Sequence, residues 1–207
     1  MTEDEAREWV RTRFGVSRET LLAQFGEMVR DESAHQNLIS KATLDAMWDR
    51  HIVDSAQLLT LAPDEAKAGL WIDIGTGAGF PGIVAAALRE AETVLVEPRR
   101  RRAEFLQRCV DALGIGSRTQ IVAAKIERYS GPKAAIISAR AVAALPDLFA
   151  AARHCSRRDT IWLLPKGASA QSEVEAARDA WQGSFHVEQS ITHPESRIVV
   201  AREVRRK

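Results

Sequence analysis

Residues Trp71 to Gly82 read WIDIGTGAGFPG and place four of the chain's twelve glycines directly behind an apolar run. An apolar tetrapeptide followed by closely spaced glycines reads as a strand turning sharply into a helix. Glycine accepts positive φ there and removes the Cβ atoms that would hold a ligand away from the backbone. Pro81 suits the first helical position, where its missing N–H is no loss. Ile83 to Leu88 then form a short apolar stretch, as expected of a helix packed on a sheet. In a doubly wound sheet, ligands bind outside the carboxyl ends of the strands, and the loop after the first strand is the rim of that site.

On the carboxyl side of Pro63, short apolar runs alternate with helical stretches, the signature of βα units around a mostly parallel sheet. The candidate strands are Leu70 to Ile74, Thr93 to Val96, Thr119 to Val122, Ala134 to Ser138 and Thr160 to Leu164. Phe185 to Gln189 and Arg197 to Glu203 are separated by too few residues for a parallel crossover, which predicts an antiparallel pair at the tail. Up to Leu61 the pattern is helical, with Trp9, Val10 and Phe14, then Leu21, Leu22, Phe25, Met28 and Val29 at 3- and 4-residue spacings. A third helix is expected over Leu44 to Leu59, with Met47, Trp48, Ile52, Ser55 and Leu59 on one face. The reading is an α/β, Rossmann-like domain over residues 62–207, mostly parallel with an antiparallel C-terminal strand, preceded by a helical extension over residues 1–61.

Composition narrows the class. The 207 residues are 45% hydrophobic and 28% charged, ordinary for a globular protein. The one long apolar region, Ala134 to Ala152, is broken by Arg140, Pro146 and Asp147, so no membrane span is expected. The opening MTEDEAREWV carries neither a basic region nor an apolar one, which predicts a cytoplasmic protein. Cys109 and Cys155 have no metal-ligand spacing, so they read as small buried hydrophobes and no metal is expected. A net charge of +1 would not by itself suggest a nucleic-acid partner. Basic residues are nevertheless clustered, at Arg99 to Arg102 with Arg108, and at Arg205, Arg206 and Lys207.

The glycine loop leaves the cofactor open. Gly77, Gly79 and Gly82 also satisfy the G-x-G-x-x-G dinucleotide pattern. Glu97, about 20 residues on at the end of the second strand, can accept ribose hydroxyls of either a nicotinamide dinucleotide or an adenosyl sulfonium. Asp73 is an additional acid that can take donors from the loop or face a cationic ligand, and that charge suits a sulfonium better than a pyrophosphate. A nicotinamide oxidoreductase would also need a hydride-transfer acid such as a Tyr/Lys or His pair; Tyr129, the only tyrosine, is read as lacking a Tyr-x-x-x-Lys spacing. A non-catalytic RNA-binding module would present exposed aromatics on a sheet, whereas most of the five tryptophans fall in apolar patterns.

Further motifs extend the pattern: NLIS at Asn37 to Ser40, WDRHIVDS at Trp48 to Ser55, LVEPRRRRAEFL at Leu95 to Leu106, ISARAVAAL at Ile137 to Leu145, LPKG at Leu164 to Gly167 and RIVVAR at Arg197 to Arg202. Taken in order with the glycine loop, they cover most of the chain. The sequence resembles the bacterial small-subunit ribosomal RNA guanine-N7 methyltransferases, also called the glucose-inhibited division protein B family. The resemblance implies a class I S-adenosylmethionine-dependent methyltransferase acting on one guanine of 16S ribosomal RNA, free or within the small ribosomal subunit. By position it implies cofactor contacts at Gly75, Phe80, Ile126, Glu127 and Arg140, beside Gly77 and Glu97 from the loop itself.

For the reaction, Arg140 can bind the cofactor carboxylate or guanine O6, because its planar fork matches oxygen acceptors. Lys166 stands at the same sheet edge and can touch phosphate or the target nucleotide. His51, on the WDRHIVDS helix that the resemblance places over the pocket, is a positioning group and not a base. Arg50 and Asp54 are expected to pair at i, i+4, and His51 and Ser55 to bond along the same face.

Overall fold

A computed structural model describes all 207 residues. Helix α1 (Glu3–Phe14) starts at a capping box in which the Thr2 hydroxyl accepts the Glu5 amide at 3.2 Å and the Glu5 carboxylate accepts the Thr2 amide at 2.8 Å. The two bonds satisfy donors that the first turn leaves free. Gly15, at φ +87°, turns the chain into α2 (Val16–Ser33).

The single helix expected over Leu44 to Leu59 is not formed. Residues Lys41–Thr43 make a 3₁₀ turn, Trp48–Val53 a wide π turn, and Asp54–Ala56 and Leu58–Leu61 the short helices α3 and α4. The apolar face is still the expected one, with Met47, Trp48, Ile52, Ser55 and Leu59 all buried. What the periodicity does not register is tertiary: the Glu3 carboxylate accepts the amides of both Trp48 and Asp49 at 2.9 Å, capping the π turn from another helix.

After α5 (Asp64–Lys67) come β1 (Trp71–Ile74), α6 (Gly82–Leu88), β2 (Thr93–Val96), α7 (Arg100–Ala112), β3 (Thr119–Val122), β4 (Ala134–Ala139), α8 (Leu145–Ala152), β5 (Ser156–Lys166), α9 (Ala170–Ala180), β6 (Trp181–Gln189) and β7 (Arg197–Arg206). The sheet order is β3-β2-β1-β4-β5-β7-β6. The first five strands are parallel, and β7 runs antiparallel between β5 and β6. The expected strands and the antiparallel tail are present. β5 begins earlier than expected, at Ser156, because Arg157 to Asp159 are exposed and carry no apolar signal.

All four residues of β1 and of β2 are buried, as strands covered on both faces must be. On one face, α1 and α2 put Val10, Leu22, Phe25 and Val29 into the same cluster as Ile83 of α6 and Phe105 of α7. On the other, Leu148 and Phe149 of α8 and Val174 of α9 meet Trp162, Trp181 and Phe185. Each fully buried side chain of this size contributes roughly 1.5–3 kcal/mol. The chain leaves β1 toward β2 in one direction and β4 in the other, so the crevice at a topological switch point lies at the carboxyl ends of β1 and β4. No helix is long and apolar enough to cross a membrane.

Candidate active site at the carboxyl edge of the sheet

The glycine loop is held from below by Asp73. This carboxylate is fully buried and accepts the Ser138 hydroxyl at 2.6 Å and the Gly82 amide at 2.9 Å. Ser138 lies directly across from it on β4 and also accepts the Trp71 indole N–H at 2.7 Å. Burial pushes the Asp73 carboxyl up to about 6, against the opposing pull of these donors. Of the two roles open to Asp73 in the sequence, the structure shows the first: it anchors the loop instead of facing outward. Its charge is therefore no argument for a sulfonium.

Gly82 is required by space, since a Cβ there would sit 2.3 Å from Leu95 and 2.7 Å from the Asp73 carboxylate. Pro81 stands one residue outside the helix, after a cis Phe80–Pro81 bond, and not at its first helical position. At Gly77 the requirement is different. The φ of +61° disfavours a side chain, and a Cβ would meet nothing nearer than 3.7 Å, leaving a bare, open stretch of backbone. Glu97 closes the floor beside it, accepting the amides of Gly77 and Arg99 at 2.9 Å each while almost wholly buried. A carboxylate has about four acceptor sites, so Glu97 keeps capacity for two more donors.

Arg140 follows β4 and is gripped by the π turn. Its guanidinium donates to Asp54 at 3.3 Å, to His51 Nδ1 at 3.1 Å and to the Arg50 carbonyl at 3.4 Å, and it lies 5.4 Å above the Phe80 ring. Nε–H and one Nη2–H remain without a partner in the chain. The expected Arg50–Asp54 pair is absent because Asp54 turns to Arg140. Ser55 bonds the His51 carbonyl at 2.6 Å and not its ring. The ring lies against Phe80, with centroids 5.0 Å apart, and its Nε2 meets the Thr43 hydroxyl at 2.9 Å. Burial, then the charges of Arg140 and Arg50, hold His51 down at about 3. It is a neutral imidazole accepting from arginine at Nδ1.

Lys166 is held within the chain and not free to reach a phosphate. It is the last residue of β5, its side chain only 9% exposed, and its ammonium pairs with Glu173 at 2.8 Å and the Ala143 carbonyl at 2.7 Å. A cleft of about 640 Å³ is lined by Arg140, His51 and Lys166 together. Phe80 packs inward on Phe25 as well as His51. Beyond β3, Ile126 is buried with Ile74 and Val96, while Glu127 is exposed. The sequence-derived residues thus stand at the carboxyl ends of five adjacent parallel strands: Ile126 and Glu127 after β3, Glu97 after β2, Gly75 and Gly77 after β1, Arg140 after β4 and Lys166 ending β5. At about 4.8 Å per strand, this row spans roughly 20 Å.

Other residues of the site give no sequence signal. Thr43 ends a single 3₁₀ turn, and Ser138 looks like any small strand residue. Ala141 adopts φ +55°, which carries Val142 over Gly75, where a Cβ would come within 2.7 Å of it. The arginine run is largely tied down: Arg100 pairs with Glu104, and Arg101 and Arg102 donate to the carbonyls of His35 and Asn37. These contacts supply the compensation that positive charge at a helix N-terminus needs.

Contrary to the expectation above, Tyr129 and Lys133 do have Tyr-x-x-x-Lys spacing. Tyr129 is buried with its hydroxyl donating to the Pro132 carbonyl at 3.0 Å, and Lys133 precedes β4, at the opposite edge from the glycine loop. Cys109 and Cys155 are buried as expected, and burial raises their thiols to about 12 and about 11. A larger hollow, about 810 Å³, opens at the amino ends of β1 and β2 among Arg13, Lys67 and Glu90, away from the residues of the carboxyl edge.

Residues 18–200 match the family model described as GidB, rRNA small subunit methyltransferase G. The ribosomal RNA small subunit methyltransferase G of Zymomonas mobilis is 44% identical over 99% of this chain and 95% of that protein. That of Rhizorhabdus wittichii is 46% identical over 99% and 94%. Among solved structures, an O-methyltransferase from Bacillus cereus in complex with SAH shares the fold, with a TM-score of 0.60 at 13% identity over 94% of this chain and 96% of that one. The Pyrococcus horikoshii protein TYW2, in complex with MeSAdo, does so at a TM-score of 0.59 and 12% identity, over 81% and 64%. With nearly its whole length matched, the chain belongs to the rRNA small subunit methyltransferase G family.

Proposed function

We propose that the protein methylates N7 of one guanine in 16S ribosomal RNA with S-adenosylmethionine as donor. The observation that carries this reading is the row of residues along five strand ends, in a chain of this family. A donor of this kind fits the edge: Gly77 leaves backbone open, and Glu97 has acceptor capacity beside it. When bound, the donor supplies an electrophilic methyl group on a sulfonium.

Glu97 accepts the ribose hydroxyls, while Ile126 offers an apolar wall and Glu127 a polar edge to the adenine. Gly75 and Gly77 let the backbone reach the amino-acid portion, with Phe80 packed beneath as a platform for Arg140. Arg140 binds the donor carboxylate or guanine O6 through the two N–H groups left free. His51 and Asp54 fix its plane, and Lys166 holds the loop after β4 through the Ala143 carbonyl. Residues 1–61 act as an extension that closes the crevice, and residues 62–207 as the methyltransferase domain.

Guanine N7 carries an in-plane lone pair, so its attack releases no proton and no general base is needed. That matches a neutral, fully engaged His51. The residues accelerate the reaction by orientation, keeping nucleophile and methyl carbon in line at about 3–3.5 Å. The near-neutral chain suggests that ribosomal proteins share in docking, making the assembled subunit the better substrate.

The test is titration with S-adenosylhomocysteine and NADH, followed by incubation of labelled donor with 16S RNA and 30S particles from cells lacking the enzyme. Uptake of the first ligand alone and label in 7-methylguanosine are expected. Label in another base would refute the N7 assignment, and NADH uptake alone would favour an oxidoreductase.

A further inference from the structure

A second feature lies at the amino edge of the sheet, opposite the glycine loop. A groove of about 710 Å³ is lined by Lys133 before β4, Arg153, Arg157 and Arg158 around the start of β5, and Arg205 and Arg206 at the end of β7. All six are exposed. The antiparallel course of β7 is what brings the chain's last arginines beside the first residues of β5.

Glu203 is the only acid in the lining, and it pairs with Arg158 at 3.6 Å; Arg157 pairs with Asp159 at 2.9 Å. Lys133, Arg153, Arg205 and Arg206 pair with no carboxylate, and Arg205 only donates to Gln182 at 3.2 Å. The whole chain has a net charge of +1, so six cations against one acid here leave the remainder net negative. Charge this concentrated and this little neutralised is a site for a polyanion. By contrast, Arg100 to Arg102 already have partners within the chain.

We infer that this groove grips the phosphate backbone of the RNA at a second place, remote from the transferred methyl group. The inference rests on ribosomal RNA being the substrate. Lys133 and Arg140 are separated by β4, so extended chain at about 3.3 Å per residue puts the two contacts roughly 20 Å apart. That exceeds the Debye length of about 8 Å at physiological salt, so the groove acts on RNA binding and not on the reacting atoms. An RNA must span that distance to touch both edges, which gives the enzyme a way to favour a longer RNA over a single nucleotide or dinucleotide. Phosphate contacts of this kind position without reading sequence.

The test compares the full chain with a Lys133→Ala, Arg153→Ala, Arg206→Ala variant and with a control of equal net charge, Arg11→Ala, Arg30→Ala, Lys67→Ala. Binding to deproteinised 16S RNA is measured across a salt series, with melting temperature and S-adenosylhomocysteine affinity as checks on the fold. The groove variant should bind about tenfold more weakly, with a salt slope shallower by roughly 2, while the control keeps most of its affinity. Its KM for RNA should rise with kcat unchanged. Equal affinity and slope in groove variant and unmodified protein would overturn the inference. So would equal weakening in both variants, or a defect seen with 30S particles but not with bare RNA. Groove-dependent RNA binding without 7-methylguanosine formation would keep the groove and refute the proposed reaction.

Discussion

The two halves of the site are built by different means. Around Gly77 the parts are local: strand, bare loop, Pro81, and an acid at the next strand end, joined by backbone amides to Asp73 and Glu97. Around Arg140 they are not, because the guanidinium meets His51, Asp54 and the Arg50 carbonyl about 90 residues earlier in the chain. The first half needs the β1-loop-α6 unit and its two neighbour strands, β2 with Glu97 and β4 with Ser138. The second exists only when the N-terminal helices have packed on the sheet. Donor binding and methyl transfer should therefore be separable by mutation.

The largest effect is expected from Arg140→Ala. Loss of the only guanidinium in this network should lower kcat by about 100-fold or more, in the range seen when one charge-stabilising donor is removed. S-adenosylhomocysteine affinity would then tell which oxygen the arginine serves: unchanged affinity points to guanine O6, and a parallel loss to the donor carboxylate. Arg140→Lys should not rescue, because a point charge cannot make the forked contacts. Near-normal turnover in either variant would remove Arg140 from the site.

Glu97→Ala breaks the local half. It orphans the Gly77 and Arg99 amides and deletes the ribose acceptor, a cost of about 1–3 kcal/mol, or roughly 5- to 150-fold in donor affinity. Calorimetry reads this directly, and kcat at saturating donor should change far less than in Arg140→Ala. An equal fall in both would mean that the halves are not separable.

The smallest effect concerns pH. The unfolded chain protonates His51 near 6.5, whereas the folded protein keeps it neutral to about 3. Its contribution to stability is complete above 6.5 and lost as pH falls toward 3. Asp73 runs the other way, costing stability as pH rises from 3.8 through about 6. Replacing His51 by Gln should flatten the acid side of the stability profile by up to about 1.4 kcal/mol per pH unit. Methyl transfer by the unmodified protein should show no inflection attributable to this imidazole near 6.5. An inflection there that vanishes in His51→Gln would make His51 a titrating participant.

The same contrast explains what was legible in the sequence. Residues 71–97 could be read with little loss, because a loop that needs bare backbone and an acid on the adjacent strand are both short-range requirements. Asp73 was identified, but sequence left open which way it faces, and Ser138 opposite it turned it to the loop. The π turn is not legible at all: apolar spacing marks which residues are buried, not that Glu3 caps the segment and Arg140 draws Asp54 from Arg50. Lys166 was placed near the right edge, yet its partner Glu173 lies on the following helix, beyond any local pattern. Thr43 and Val142 carry no local signal for the same reason.

One measurement bears on the whole account: a crystal structure with S-adenosylhomocysteine bound. The expected result is a ribose on Glu97, the sulfur above Gly75 and Gly77, and an open face toward Arg140. A molecule bound instead in the hollow beside Arg13 and Glu90, or along the sheet edge with Glu97 untouched, would contradict it.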